Sequence, residues 1–251
     1  MSRKLFLNKV FMLLNLLCLP ALYAQPKIPV YTMPAALVNR LKAETEQRQR
    51  GECEQKQREF GSNHFYALNG KLLLLIALPD YFCNASSFMP VTIDKQGHWD
   101  AGAVLENYPT FLLTDSSQQL WLASHWEIEG VYPVLQRSID GINWQEISLP
   151  KERKIDCCFQ YLKQVCLNNS QIQLKFTGLD DTPVEYWATS VSNSLKPSPD
   201  WKKVSPQHCQ ATAVTAADWQ RKTSANGAQI SFESETQGFK ALIPRWLKAA
   251  N

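Results

Sequence analysis

The chain has 251 residues, a net charge of +3, 45% hydrophobic and 20% charged residues, a balance that excludes wholesale disorder and a membrane-embedded body. Its first 24 residues carry Arg3, Lys4 and Lys9 and no acidic group, so the following 227 residues set 23 basic against 23 acidic side chains. A neutral body argues against nucleic-acid binding, which normally gathers a basic excess on one face. The length suits one domain or two small ones.

Residues 1–24 read as a secretory signal: basic residues, an apolar run from Val10 to Leu19 interrupted by Asn15, then Ala21-Leu22-Tyr23-Ala24 as the cleavage region. Cleavage is expected after Ala24. The apolar run falls short of the ~20 residues that span a bilayer, which weighs against an uncleaved anchor. Leu17 stands where a small residue would have to precede a lipidated Cys18. The expected location is periplasmic or secreted, with no transmembrane span after signal removal.

Residues 25–63 form a helical N-terminal segment. From Pro34 to about Phe60, Leu37, Val38 and Leu41 give a short apolar patch, and Glu44–Arg48, Glu46–Arg50 and Glu54–Arg58 are spaced for ion pairs along a helix. The later part is dominated by charge, which reads as a solvated helix tied to the body through Cys53; docking of a partner is the alternative.

Residues 64–251 read as β. His64 to Leu68, Asn69-Gly70 and Lys71 to Leu78 make a two-residue hairpin pattern. Gln171 to Phe176 alternates with period two, Asn226-Gly227 marks another hairpin before Ala228 to Phe232, and Arg245 to Ala250 suits a terminal helical turn. Once Cys18 is removed, six cysteines remain: Cys53, Cys83, Cys157, Cys158, Cys166 and Cys209. In an oxidising compartment these suggest up to three disulfides. Adjacent Cys157 and Cys158 would leave a strand on opposite faces, with Cys166 able to meet one of them across a hairpin. Their spacing lacks paired zinc knuckles, so neither a metal nor a cofactor is implied.

A weak repeat runs through the strands. Thr92 to Trp99, with Asp94, is echoed by Ser138-Ile139-Asp140-Gly141-Ile142-Asn143-Trp144, the two tryptophans 45 residues apart, and more poorly by Ser198 to Trp201. Asp115 to Trp121 resembles Asp180 to Trp187. The period is that of four-stranded propeller blades.

The segment Ser138 to Trp144 resembles the Asp-box of sialidase-like β-propellers, S-x-D-x-G-x-T-W, here one residue shorter as S-x-D-G-x-x-W. The physical basis is a hairpin in which Asp140 accepts turn N–H groups, Gly141 allows an unusual backbone angle and Trp144 packs beneath. The resemblance spans roughly residues 64–205 and implies a structural element lying away from any active site. The sialidase chemistry itself is not carried over: the mature chain has eight arginines, Arg40, Arg48, Arg50 and Arg58 among them in or beside the helix, and no Arg-Ile-Pro segment. The expected fold is mainly β, propeller-like repeats of antiparallel hairpins with one N-terminal helix and stabilising disulfides.

No catalytic constellation is legible. His64, His98, His125 and His208 are scattered, and no G-x-S-x-G elbow or phosphate loop occurs. Asp180-Asp181 and Glu127/Glu129 could supply carboxylates for glycoside cleavage but more often sit in solvated loops. The stretch His125 to Tyr132 joins two strands and groups Trp126, Glu127, Glu129 and Tyr132, a combination suited to a binding surface. The expectation is a non-enzymatic exported protein that binds another exported protein, such as an inhibitor or immunity protein against a secreted hydrolase or toxin. Glycan binding or hydrolysis is the alternative, and an envelope scaffold a third.

Overall fold

The structure, a computed structural model, describes residues 27–48, 58–59, 64–68, 70–78, 87–127, 130–155, 159–168, 170–206 and 212–247. Strand β1 (Val30–Thr32) leads into helix α1 (Ala35–Arg48) and β2 (Arg58–Glu59). Sheet I is the meander β3 (His64–Leu68), β4 (Lys71–Leu78), β5 (Ser87–Asp94), β6 (Trp99–Ala101). Sheet II repeats it with β7 (Tyr108–Thr114), β8 (Leu120–Glu127), β9 (Val131–Ser138) and β10 (Gln145–Glu146). Sheet III does so again with β11 (Tyr161–Leu167), β12 (Gln171–Thr177), β13 (Val184–Ser190) and β14 (Lys202–Lys203), with the short helix α2 (Val191–Ser194) between the last two. Strand β15 (Thr212–Ala213) adds to the free edge of β7. Sheet IV is β16 (Gln220–Thr223), β17 (Gln229–Ser234) and β18 (Phe239–Pro244), closed by β1 running parallel to β18. Strand β19 (Trp246–Leu247) pairs with β2.

The unbroken apolar run of β4 follows from its place in the middle. Leu72, Leu74 and Ile76 face sheet IV and α1, packing with Leu41, Trp219, Phe232 and Phe239. Leu73 and Leu75 face sheet II, packing with Leu112, Leu120 and Leu122. A strand buried on both faces loses the polar alternation of a half-exposed one, and each fully buried leucine contributes roughly 1.5–3 kcal/mol. Trp121, Ala123 and Leu135 then join sheet II to Leu174, Phe176 and Trp187 of sheet III. Three apolar layers thus stack the sheets in the order IV, I, II, III. Segment 212–215 runs along the free edges of both first strands of sheets I and II, with Val214 N–H donating to the Leu112 carbonyl and Ala67 N–H to that of Thr215.

The hairpins at Gly70 and Gly227 form as expected, both glycines with positive φ. The helical expectations are corrected at two places. Arg58 is in a strand, because the 58–59 backbone pairs with 246–247; this removes both the helical Glu54–Arg58 pair and the terminal helical turn at Trp246 and Leu247. Gly51, Glu54 and Arg50 lie outside the described residues. Of the six cysteines only Cys166 is described; it is disulfide-bonded, and its partner lies outside the described residues. Its register neighbour in the β11–β12 hairpin is Gln173; the expected pairing with Cys157 or Cys158 falls on residues outside those described. Among the described residues no helix is long and apolar enough to cross a membrane.

Candidate functional site

The repeat fixes which end of the sheets is structural. Asp94 ends the third strand of sheet I, Asp140 lies on the connection from third to fourth strand of sheet II, and Asp200-Trp201 precedes the fourth strand of sheet III. Asp140 Oδ1 accepts from the N–H groups of Ile142 (2.9 Å) and Asn143 (2.8 Å) and from the Ser138 hydroxyl (3.0 Å), while Oδ2 takes the Asn143 amide at 2.6 Å. Gly141 has φ 84°, and Trp144 Nε1 donates back to its carbonyl at 2.9 Å. Asp94 does the same for Gln96 and His98 N–H and bonds the His98 ring at 3.0 Å, beside Trp99, which packs on the first core layer. A third such loop, at Asp115, binds Ser117 and Gln119 N–H and the Trp121 indole. It lies on the first-to-second strand connection, whereas Asp180 lies on the second-to-third of sheet III and Trp187 bonds Glu185 instead. The Asp115/Asp180 echo is therefore not a structural repeat.

Burial alone would push the Asp140 carboxyl up, but the donors from Asn143, Ile142 and Ser138 bring it down to about 2. A carboxyl lowered from about 3.8 gives stability that is present above pH ~4 and lost as pH falls toward 2. Asp140→Asn is expected to cost about 1–2 kcal/mol at pH 7, allowing for partial solvent screening. It should also unfold with a flatter pH dependence between pH 4 and 2, as followed by urea titration.

At the other end, the first strands of sheets I, II and III start with His64, Tyr108 and Tyr161. His64 meets Phe88 edge-on at 5.8 Å, Phe88 meets Tyr108 at 6.1 Å, and Tyr108 stacks on its cross-strand neighbour His125 at 5.5 Å and 15°. His125 Nδ1 lies 3.2 Å from the Thr110 hydroxyl. Burial lowers the pKa of His64. Beside this row, Glu106 is bracketed by Ser87 Oγ at 2.5 Å and Arg48 at 2.6 Å, and Arg48 also holds Glu44 at 2.6 Å. Burial would raise Glu106, yet the Ser87 hydroxyl and the Arg48 guanidinium hold it below the usual glutamate range. Helix α1 is thereby clamped to this end by its last residue. Asn107 is 5% exposed, and its Oδ1 has no hydrogen-bond partner among the described residues.

Of the residues singled out from sequence, Trp126 and Tyr132 are brought together: they face each other across β8 and β9 with rings 6.5 Å apart, and Trp126 is 46% exposed. The Glu127 side chain and Glu129 lie outside the described residues. Asp180 and Asp181 both have φ near 60°, and Asp181 is bound to Lys163 at 2.9 Å. Sequence reasoning missed Ser87, Glu106 and the His64–His125 row. Its only trace was spacing, since His64 and Tyr108 are 44 residues apart, close to the box period. The carboxyls of Asp94, Glu106, Asp140, Asp181 and Glu185 are all shifted downward by their donors. Groups of three or more His, Cys, Asp or Glu suited to a metal are absent among the described residues.

No family model matches the chain, and no curated protein does. Solved structures similar to it include a Bifidobacterium bifidum protein assigned as an exo-β-1,3-galactanase, at 11% identity and a TM-score of 0.34, covering 73% of this chain and 65% of that one. Another is the GH32 β-fructofuranosidase of Bombyx mori, at 10% identity and a TM-score of 0.36, covering 80% of this chain and 48% of that one. The chain spans less than two thirds of either, and likeness at this level carries no weight for its fold or activity.

Proposed function

We propose that this is an exported, non-enzymatic protein that binds another exported protein through the strand ends opposite the Asp140 turn. In its most concrete form it blocks the cleft of a secreted hydrolase or toxin. The fold that serves this is propeller-like, its four meanders acting as blades, with cysteine crosslinks stiffening the stack. Export rests on the basic, apolar and small-residue pattern of residues 1–24.

The observation that carries the reading is Trp126. It is a large aromatic, 46% exposed, presented from a strand paired on both sides and braced by Tyr132. An aromatic held on a rigid element is the usual anchor of a protein interface, since little side-chain freedom is lost on contact.

The test is capture from periplasmic extract with the wild-type protein and with Trp126→Ala. A single stoichiometric protein retained by the first and lost, by tenfold or more, by the second is expected. Saturable binding on a glycan array, or turnover of any chromogenic glycoside, would instead establish the sugar-directed alternative.

A further inference from the structure

A cavity of about 440 Å³ lies at the box end, where the turns of sheets I and II meet. Its volume is in the range of small-molecule sites. Leu68, Leu120 and Val214 supply an apolar wall, and Lys71, Thr215 and Ile139 stand with them around the space. Trp126 and the aromatic row are at the opposite strand ends, so nothing proposed above uses it.

Two features of this cavity are unusual. Lys71 makes no ion pair among the described residues, although two carboxylates are close in the fold. Asp94 is its direct cross-strand neighbour, and Asp140 lines the same cavity. Both carboxylates are occupied by their own turns. Asp94 accepts from Gln96 N–H, His98 N–H and the His98 ring, and Asp140 from Ser138, Ile142 and Asn143. Turning either toward Lys71 would give up several turn hydrogen bonds at once for a single partly solvated ion pair. The folding of the two boxes therefore leaves the ammonium uncompensated. The second feature is Ile139, which is 76% exposed between the ordered Ser138 and Asp140. An isoleucine held in water by a rigid turn beside an unpaired cation offers apolar contact and charge to the same ligand.

We infer that this cavity binds a small organic monocarboxylate with an apolar body, its carboxylate on Lys71 and the Thr215 hydroxyl and its carbon chain against Leu68, Leu120, Val214 and Ile139. An ammonium gives a compact point charge suited to a single carboxylate rather than the forked contact that arginine makes. The Asp140 charge, spread over its turn donors, disfavours dianions at the same mouth.

Hexanoate, acetate and hexylamine separate the contributions by isothermal titration on the full protein, with amide chemical shifts locating the site. Hexanoate is expected to bind saturably with shifts at Lys71 and Ile139, acetate at least tenfold more weakly, and hexylamine not at all. Lys71→Met should weaken hexanoate tenfold or more, and Lys71→Arg should keep most of the affinity, which separates charge from folding. Ile139→Ala should weaken hexanoate several-fold without changing acetate. Absence of saturable hexanoate binding, binding of hexylamine as tight as hexanoate, or full affinity in Lys71→Met overturns the inference. Trp126→Ala should leave hexanoate binding unchanged, which separates this site's failure from that of the protein-binding face.

Discussion

Gly102→Ala should lower the stability of the protein by about 3 kcal/mol, near the upper end for inserting one carbon into a packed site. A Cβ at residue 102 would lie 2.0 Å from the Ile142 carbonyl oxygen and 3.0 Å from Pro90 Cγ. The carbonyl belongs to the Asp140 turn, and its residue is fixed by its own N–H bond to Asp140 at 2.9 Å. Gly102 is equally held: its N–H donates to Pro90 at 2.9 Å and its carbonyl accepts from Arg40 at 2.7 Å. Relief requires the turn to lift off sheet I or residue 102 to leave the edge of β5, and either opens the layer between sheets I and II. At roughly 2–4 °C per kcal/mol for a domain of this size, the melting temperature should fall by about 6–12 °C. Gly70→Ala is the control, since Gly70 has φ 71° but nothing within 4 Å of the added carbon; it should cost only the ~1–2 kcal/mol of left-handed backbone. Because Asp140→Asn loosens the turn that Gly102 abuts, the double variant should lose less than the two single losses added. A Gly102→Ala protein within 1 kcal/mol of wild type would mean that this contact does not hold the sheets together.

That contact also marks where sequence reading stops. The turn chemistry of Ser138, Asp140, Gly141 and Trp144 is local, spanning seven residues, so its spacing could be recognised directly, and the same holds for Gly70 and Gly227. What the turn rests on is forty residues away, and no spacing announces it. The third Asp loop, at Asp115, has no glycine; Gln118 takes the positive φ of 62° in its place, which hides it from a pattern built on glycine. Ser224 and Asn226 rebuild a related loop with an amide in place of the carboxylate, Asn226 Oδ1 accepting from Ser224 Oγ at 2.6 Å and Ala228 N–H at 3.1 Å. The parallel pairing of β1 with β18 and the seating of 212–215 against two sheets are long-range backbone pairings of short segments, which carry too few residues for a period to register. The candidate face was half legible. Trp126 and Tyr132 are close in sequence because one hairpin carries both, whereas Arg48, Ser87 and Glu106 come from the helix, β5 and the β6–β7 connection and meet only after the helix has packed.

The second large effect is expected in sheet III, from Glu185→Ala, at about 3 kcal/mol. Glu185 is 3% exposed and accepts from the Trp187 indole at 3.0 Å, from Lys203 Nζ at 2.8 Å and from Lys154 N–H at 3.3 Å. Burial would raise its pKa, but Lys203, Trp187 and Lys154 together lower it. Arg153 depends on the same charge: its guanidinium lies 4.7 Å from the Phe176 ring, and burial lowers its pKa while Glu185 supports it. Alanine would leave a buried indole N–H without an acceptor and a partly buried cation without a counter-charge, the combination that makes removing one partner far costlier than removing both. Glu185→Gln, which keeps an acceptor for Trp187, should lose about half as much. Since the folded carboxyl is lowered, its contribution is present above the ordinary glutamate pKa and fades as pH falls through and below that range. Glu185→Gln should accordingly lose less stability than wild type on acidification, as measured by urea midpoints from pH 7 downward. The decisive comparison is Arg153→Met combined with Glu185→Leu. If compensating Arg153 is a large part of what Glu185 provides, this pair should recover part of the alanine loss, because Arg153 no longer needs a counter-charge while the Trp187 indole N–H still lacks an acceptor and Lys203 turns to solvent. A double variant as unstable as Glu185→Ala would place the cost in the Trp187 indole N–H left without an acceptor and not in the charge of Arg153.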